Sequence, residues 1–175
     1  MQPRSWLILT AALLVSACQQ AGDGTADSLA NAQLRSGAGD AAGTAAFRPS
    51  GDGVALTLSL MGLPPGVHGI HLHSVGRCDA PSFESAGPHL NPMGKLHGAQ
   101  NPAGSHMGDL PNITVDAAGR ATTTLQIAVP PSSFSAELDD ADGAAIVIHV
   151  APDDYRTDPS GNSGDRIACG VLEAE

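Results

Sequence analysis

An antiparallel all-β sandwich or barrel is the fold this 175-residue chain predicts, occupying residues 28–175 as one domain. Three observations carry that expectation. Short stretches alternate apolar and polar residues with a period of two, turn signals separate them, and almost no segment shows a helical period. From Leu29 onward such stretches recur. Residues 54–60 alternate cleanly after the Asp52-Gly53 turn. Ile113-Thr114-Val115 and residues 121–127 do so on either side of the Ala118-Gly119 turn, and residues 144–150 and 167–172 complete the set. One turn of helix is expected between Phe134 and Leu138. Residues 74–110 and 151–166 break the pattern with Pro81, Pro88, Pro92, Pro102, Pro152 and Pro159 and many glycines. Loops of that length in a small domain usually carry function.

The first residues stand apart from the domain. Arg4, then a short apolar run from Trp6 to Val15 and the small residues Ser16-Ala17, read as a secretory signal over residues 1–17. Val15-Ser16-Ala17-Cys18 resembles a bacterial lipobox. It implies cleavage before Cys18, acylation of that cysteine and a flexible tether over residues 18–27. Gln19 points to the outer membrane, so the domain is expected on the periplasmic side as a lipoprotein. With Cys18 committed to lipid, Cys78 and Cys169 remain, and in an oxidising compartment they can pair in one way.

The formal net charge is −10 and becomes −11 once residues 1–17, which carry only Arg4, are removed. Such a surface disfavours nucleic acid and anionic membranes, leaving the lipid as the expected membrane contact. Any site that handles an anion must be locally positive.

Six of the seven histidines form a spaced series: His71, His73, His89, His97, His106 and His149, with Asp109 three residues after His106. Imidazole is the commonest metal ligand in proteins, and six imidazoles with a carboxylate exceed the needs of one four-coordinate ion. Two metals are therefore expected. In a strand through residues 68–73, His71 and His73 share one face, while His68, Ile70 and Leu72 share the other. The apolar face belongs to the core, so His71 and His73 should point outward, beneath a covering loop, in a shallow site. Likewise Ile146, Ile148 and Val150 should face in, and Val147 and His149 out. His68, on the core side, reads as a hydrogen-bonded structural residue. The loop set His89, His97, His106 and Asp109 suits tetrahedral zinc. The strand set His71, His73 and His149 offers nitrogen alone, which suits copper. His89 is read either as an imidazolate bridge completing the copper set or as a zinc ligand only.

These segments together resemble the copper/zinc superoxide dismutases, especially exported bacterial members. The resemblance rests on Val67-His68-Gly69-Ile70-His71-Leu72-His73, Ala86-Gly87-Pro88-His89-Leu90-Asn91-Pro92, His97-Gly98 and His106-Met107-Gly108-Asp109-Leu110. Ile146-Val147-Ile148-His149-Val150 and Gly164-Asp165-Arg166-Ile167-Ala168-Cys169-Gly170-Val171 complete it. It implies a Greek-key barrel of about eight strands with two long functional loops, a family in which the sandwich fold and electrostatic steering are established. It further implies one copper and one zinc per subunit, copper on His71, His73, His89 and His149, and zinc on His89, His97, His106 and Asp109. His89 then bridges, taking and returning a proton, and Cys78 and Cys169 match the family's disulfide. Asp153 is implied as a carboxylate orienting histidines of both metals, and Arg166 as the guide for the anion. The implied reaction converts two superoxide ions to dioxygen and hydrogen peroxide, in a monomer or homodimer. The rival expectations are a non-enzymatic copper- or zinc-binding or copper-delivery domain of the same fold, and a structural cell-surface sandwich.

Overall fold

The computed structural model describes residues 28–175, so the expected leader, Cys18 and the expected tether lie outside the described residues. Ten strands appear in chain order: β1 (Ala30–Ser36), β2 (Ala41–Ser50), β3 (Gly53–Leu60), β4 (Gly66–His68), β5 (Ile70–His73), β6 (Ile113–Val115), β7 (Ala121–Ile127), β8 (Ala145–His149), β9 (Arg166–Val171) and β10 (Glu173–Ala174). Seven of them form an antiparallel path β5-β8-β9-β1-β2-β3-β7, with β10 beside β1, and β4 pairs with β6 separately. Because β4 runs into β5 through Gly69 and β6 runs into β7 through the 116–120 turn, that ribbon links the two edge strands. The curled sheet is thereby carried toward a barrel.

Alternation explains which face each strand buries. β3 sends Val54, Leu56, Leu58 and Leu60 inward, and β1 sends Ala30, Ala32 and Leu34 to the same core. Strands β5 and β8 add Ile70, Leu72, Ile146 and Ile148. Their opposite faces split. Ala145 and Val147 join Phe83, Ala86 and Cys169 in a second apolar cluster under the long loop. The expected helical turn is a two-turn helix, α1 (Pro131–Leu138), which begins at a proline whose φ suits a helix N-terminus. Its Phe134 stacks on Phe47 with ring centroids 5.0 Å apart, closing one end of the core.

Three expectations about faces need correction. Val150 does not point into the core but is half-exposed. The pairing of β8 with β9 shifts between Ile148 and His149, and such an irregularity resets the alternation beyond it. His71 and His73 do leave the main core, yet the site is not shallow, since both are fully buried. His68 belongs to a strand of its own, separated from β5 by Gly69. It is buried as a structural residue, with Nδ1 2.7 Å from the His149 carbonyl and Nε2 2.8 Å from that of Pro64.

The outer face is covered because the long loop is laced to the edge of β5. Leu72 N–H donates to the Gly108 carbonyl at 2.9 Å, and Leu90 N–H donates to the Leu72 carbonyl at 2.8 Å. A disulfide between Cys78 and Cys169, 91 residues apart, fixes the same loop to β9.

Candidate metal centre

β5 supplies His71 and His73, the end of β8 supplies His149, and the loop laid across them supplies His89, His97, His106 and Asp109. Two groups of side chains converge. The ligand atoms of His71, His73, His89 and His149 all lie within 4.8 Å of one another, and so do those of His89, His97, His106 and Asp109. His89 is common to both.

Hydrogen bonding decides which ring nitrogen each histidine has to spare. His71 Nε2 donates to Asp153 Oδ2 at 2.9 Å, His73 Nδ1 to the Gly87 carbonyl at 2.8 Å, and His149 Nδ1 to the Gly164 carbonyl at 3.0 Å. Among the described residues, the buried side-chain nitrogens that make no hydrogen bond are His71 Nδ1, His73 Nε2, His89 Nε2, His97 Nδ1 and His149 Nε2. A buried polar atom left unpaired costs about 1–3 kcal/mol, and several converging on one place point to a common partner. Four of the five make up the all-nitrogen group. An ion that accepts four imidazoles fits them, and copper is such an ion.

The second group is built around one carboxylate. Asp109 Oδ1 lies 2.9, 3.0 and 3.1 Å from Nδ1 of His89, His97 and His106. Its other oxygen, Oδ2, accepts the backbone N–H groups of Gly98 and His106 at 2.8 and 3.0 Å. Those two bonds hold the carboxylate so that Oδ1 faces the three rings. Three imidazole nitrogens and one carboxylate oxygen make a donor set that fits tetrahedral zinc.

The site is prepared as neutral imidazole and anionic carboxylate. Burial, reinforced by the neighbouring His89, pushes His73 down to about 2. Burial and His71 lower His149 to about 3, and burial lowers His89 to about 4 despite its bond to Asp109. Burial alone would raise Asp109, but the His89 and Gly98 hydrogen bonds and the rings of His97 and His106 outweigh it. Metal ligation requires these unprotonated forms.

A family model described as copper/zinc superoxide dismutase matches residues 41–172. The chain belongs to the copper/zinc superoxide dismutase family. It is 42% identical over 154 residues to a Cu-Zn superoxide dismutase of Aquifex aeolicus, covering 83% of this chain and 87% of that one. It is also 42% identical over 144 residues to the superoxide dismutase-like protein YojM of Bacillus subtilis, covering 80% and 74%. Among solved structures, a mutant of a SOD-like protein from Bacillus subtilis superposes with a TM-score of 0.76 at 40% identity, over 81% of this chain and 96% of that one. The Cu/Zn superoxide dismutase from Brucella abortus gives 0.67 at 26% identity, over 82% and 98%. The mostly antiparallel β architecture agrees with these neighbours.

Two residues expected from the family resemblance sit beside the histidines. Asp153 is buried between the two groups. Its Oδ2 accepts from His71, and its Oδ1 accepts from His97 Nε2 at 3.0 Å. Burial would raise its pKa, but the bonds from His71, His97 and the Tyr155 N–H hold it down. Arg166, at the start of β9, donates from Nη1 to the Phe83 carbonyl at 2.7 Å and from Nη2 to the Gly87 carbonyl at 2.8 Å. It lines a surface opening with Pro81, Glu84, Gly164 and Asp165. Its positive charge reaches His73 and His149 and helps keep both rings neutral.

Sequence reasoning missed the residues that hold Asp153 in place. Asn112 brackets its backbone, donating from Nδ2 to the Asp153 carbonyl at 2.9 Å while its Oδ1 accepts the Asp153 N–H at 2.8 Å. The Tyr155 hydroxyl accepts the Asn112 N–H at 2.8 Å, tying the two long loops together. Asp158 Oδ1 accepts the His97 N–H at 2.7 Å. Gly161, with φ +63°, packs so closely that a Cβ would collide with Asp153 Oδ1 and His97 Nε2. No local sequence signal marks Asn112, whose partner Asp153 lies 41 residues away, or Gly161, whose close approach to His97 spans about 60 residues.

Proposed function

We propose that this protein dismutates superoxide, converting two superoxide ions and two protons into dioxygen and hydrogen peroxide. The observation that supports it most is the division of His89. Its Nδ1 faces the Asp109 group, while its buried Nε2 makes no hydrogen bond among the described residues and is left for the all-histidine group. Copper would be held by His71 Nδ1 and by Nε2 of His73, His89 and His149. Zinc would be held by Nδ1 of His89, His97 and His106 with Asp109 Oδ1, at one ion of each per chain. Copper, when bound, supplies reversible one-electron chemistry, and zinc supplies a fixed positive charge without redox change.

The remaining work falls to side chains. His89 Nε2 is the proton-carrying atom, since Nδ1 is committed to the Asp109 group. A proton taken there can be returned to the reduced oxygen species. Asp153 fixes the ring orientation of one histidine in each group. Arg166 presents a guanidinium at the opening of an otherwise acidic protein and draws in a small anion. We also propose, from the leader and Cys18, that the protein acts outside the cytoplasm as a membrane-tethered lipoprotein.

Metal content and superoxide consumption, measured on the same copper- and zinc-loaded preparation, test the enzyme. Accelerated superoxide decay that is lost on copper removal is the expected result. A copper-loaded protein that leaves the decay unaccelerated refutes the enzyme and favours a metal-carrying member of the fold, a role consistent with a relative named superoxide dismutase-like.

A further inference from the structure

We propose that an acidic cleft beside α1 is the route by which a divalent cation reaches the His89, His97, His106 and Asp109 group. The inference rests on reading that group as a metal site. It concerns entry, not the identity of the ligands.

The six histidines of the two groups are not equally hidden. His71, His73 and His97 are 0% exposed and His149 is 3%, whereas His89 and His106 retain 6% and 8%. Both of these line a cleft of about 580 Å³. They also belong to the same four-residue group and are its two most exposed side chains, so the cleft reaches the group through both. The walls carry Glu137 from α1, Asp140 and Asp142 from the loop after it, and Asp158 from the second long loop. Among the described residues, Lys95 is the single Lys or Arg lining it. Four carboxylates against one ammonium leave the walls with a formal charge of −3.

Two other openings nearby offer a cation less. One, touching His106 and Asp109, is lined otherwise by uncharged residues such as Met107, Leu110, Ile127 and Val129. The other sets Arg166 against Glu84 and Asp165, a formal −1, and includes none of the seven histidine and aspartate residues of the two groups in its lining. A cleft of one sign with low-dielectric walls concentrates counter-ions and raises their association rate. A hydrated dication gains most, because its attraction scales with twice the charge. None of the four acids belongs to the ligand group, so their charge is read chiefly in the rate of arrival.

Glu137 and Asp142 suit the test, since neither side chain makes a hydrogen bond or ion pair among the described residues. Metal-free full-length protein is mixed with Co(II), whose visible absorption reports tetrahedral binding, and uptake is followed in time. The Glu137→Gln/Asp142→Asn variant should take up Co(II) about 3- to 10-fold more slowly at low ionic strength. It should reach the same final occupancy, and the difference should vanish in high salt. Asp40→Asn/Asp52→Asn makes the same change of net charge in the β1–β2 and β2–β3 turns and should leave the rate unchanged. Unaltered uptake in the cleft variant, or equal slowing in the control, overturns the proposal. No Co(II) uptake by the unaltered protein overturns the metal-site reading itself, and this proposal with it.

Discussion

His73 and Arg166 meet on one acceptor: His73 Nδ1 and Arg166 Nη2 each lie 2.8 Å from the carbonyl oxygen of Gly87. The cation at the opening is thus registered directly against a ring of the all-histidine group. Arg166→Ala should lower the superoxide rate about 10-fold and flatten its dependence on ionic strength. Arg166→Lys should keep the salt dependence but not the full rate, because a single ammonium cannot span the Phe83 and Gly87 carbonyls as the planar guanidinium does. Rates measured across ionic strength check both, and an unchanged salt profile in the alanine variant contradicts the assigned role.

Glu84 shares the opening with Arg166. Burial lowers the Arg166 pKa, and the Glu84 carboxylate pulls it the other way. That carboxylate also weakens the positive field an arriving anion meets. Glu84→Gln should therefore raise the rate, by about 2-fold at low salt, with the gain disappearing as salt is added. A slower variant would show that Glu84 serves Arg166 as an anchor instead.

Asp153 accepts from one histidine of each metal group, so Asp153→Asn leaves His71 or His97 facing an amide N–H. Affinity for copper and zinc should each fall about 10- to 100-fold. Competition against a chelator, followed for each metal separately, measures this. Unchanged affinity for both would reduce Asp153 to a loop-packing residue.

The disulfide joins residues 91 apart and holds the loop bearing Phe83 and Gly87 against β9. Cys78→Ser/Cys169→Ser should cost roughly 4–5 kcal/mol in the loop-entropy model, a fall in Tm of about 10 °C or more. Calorimetry on the metal-free protein reads it without interference from metal binding.

Acid should destabilise the metal-free protein steeply. His89, His149 and His73 titrate at about 4, 3 and 2 when folded, against 6.5 for the free side chain. Between those values the unfolded chain binds more protons, so stability rises with pH. It is lost as pH falls from about 6.5, with uptake of about three protons on unfolding. Asp109 and Asp153, depressed below the usual carboxylate range, add a further loss at lower pH in the same direction. Denaturant titrations from pH 7 down to pH 4 should show a monotonic decline, and a flat profile would contradict the burial of these rings.

Strand alternation is a local property, and it was readable. The period of two placed Ile70 and Leu72 in the core and His71 and His73 on the opposite face, and the structure keeps that division. It failed at Val150, where a shift in pairing with β9 interrupts the alternation, and no residue pattern within β8 announces it. Spacing also separated a loop group from a strand group, because a loop folded onto β5 must carry its histidines together.

Residue types and their order thus determined the β architecture, the surplus of imidazoles and the pairing available to Cys78 and Cys169. Tertiary structure decided which atom each histidine offers. His71 presents Nδ1 because Asp153, 82 residues away, occupies its Nε2, whereas His73 and His149 present Nε2 because carbonyls of Gly87 and Gly164 occupy their Nδ1. Both nitrogens of an isolated imidazole are equivalent as candidates. A hydrogen bond from a distant part of the chain makes the choice, and only the folded chain brings that partner within 3 Å.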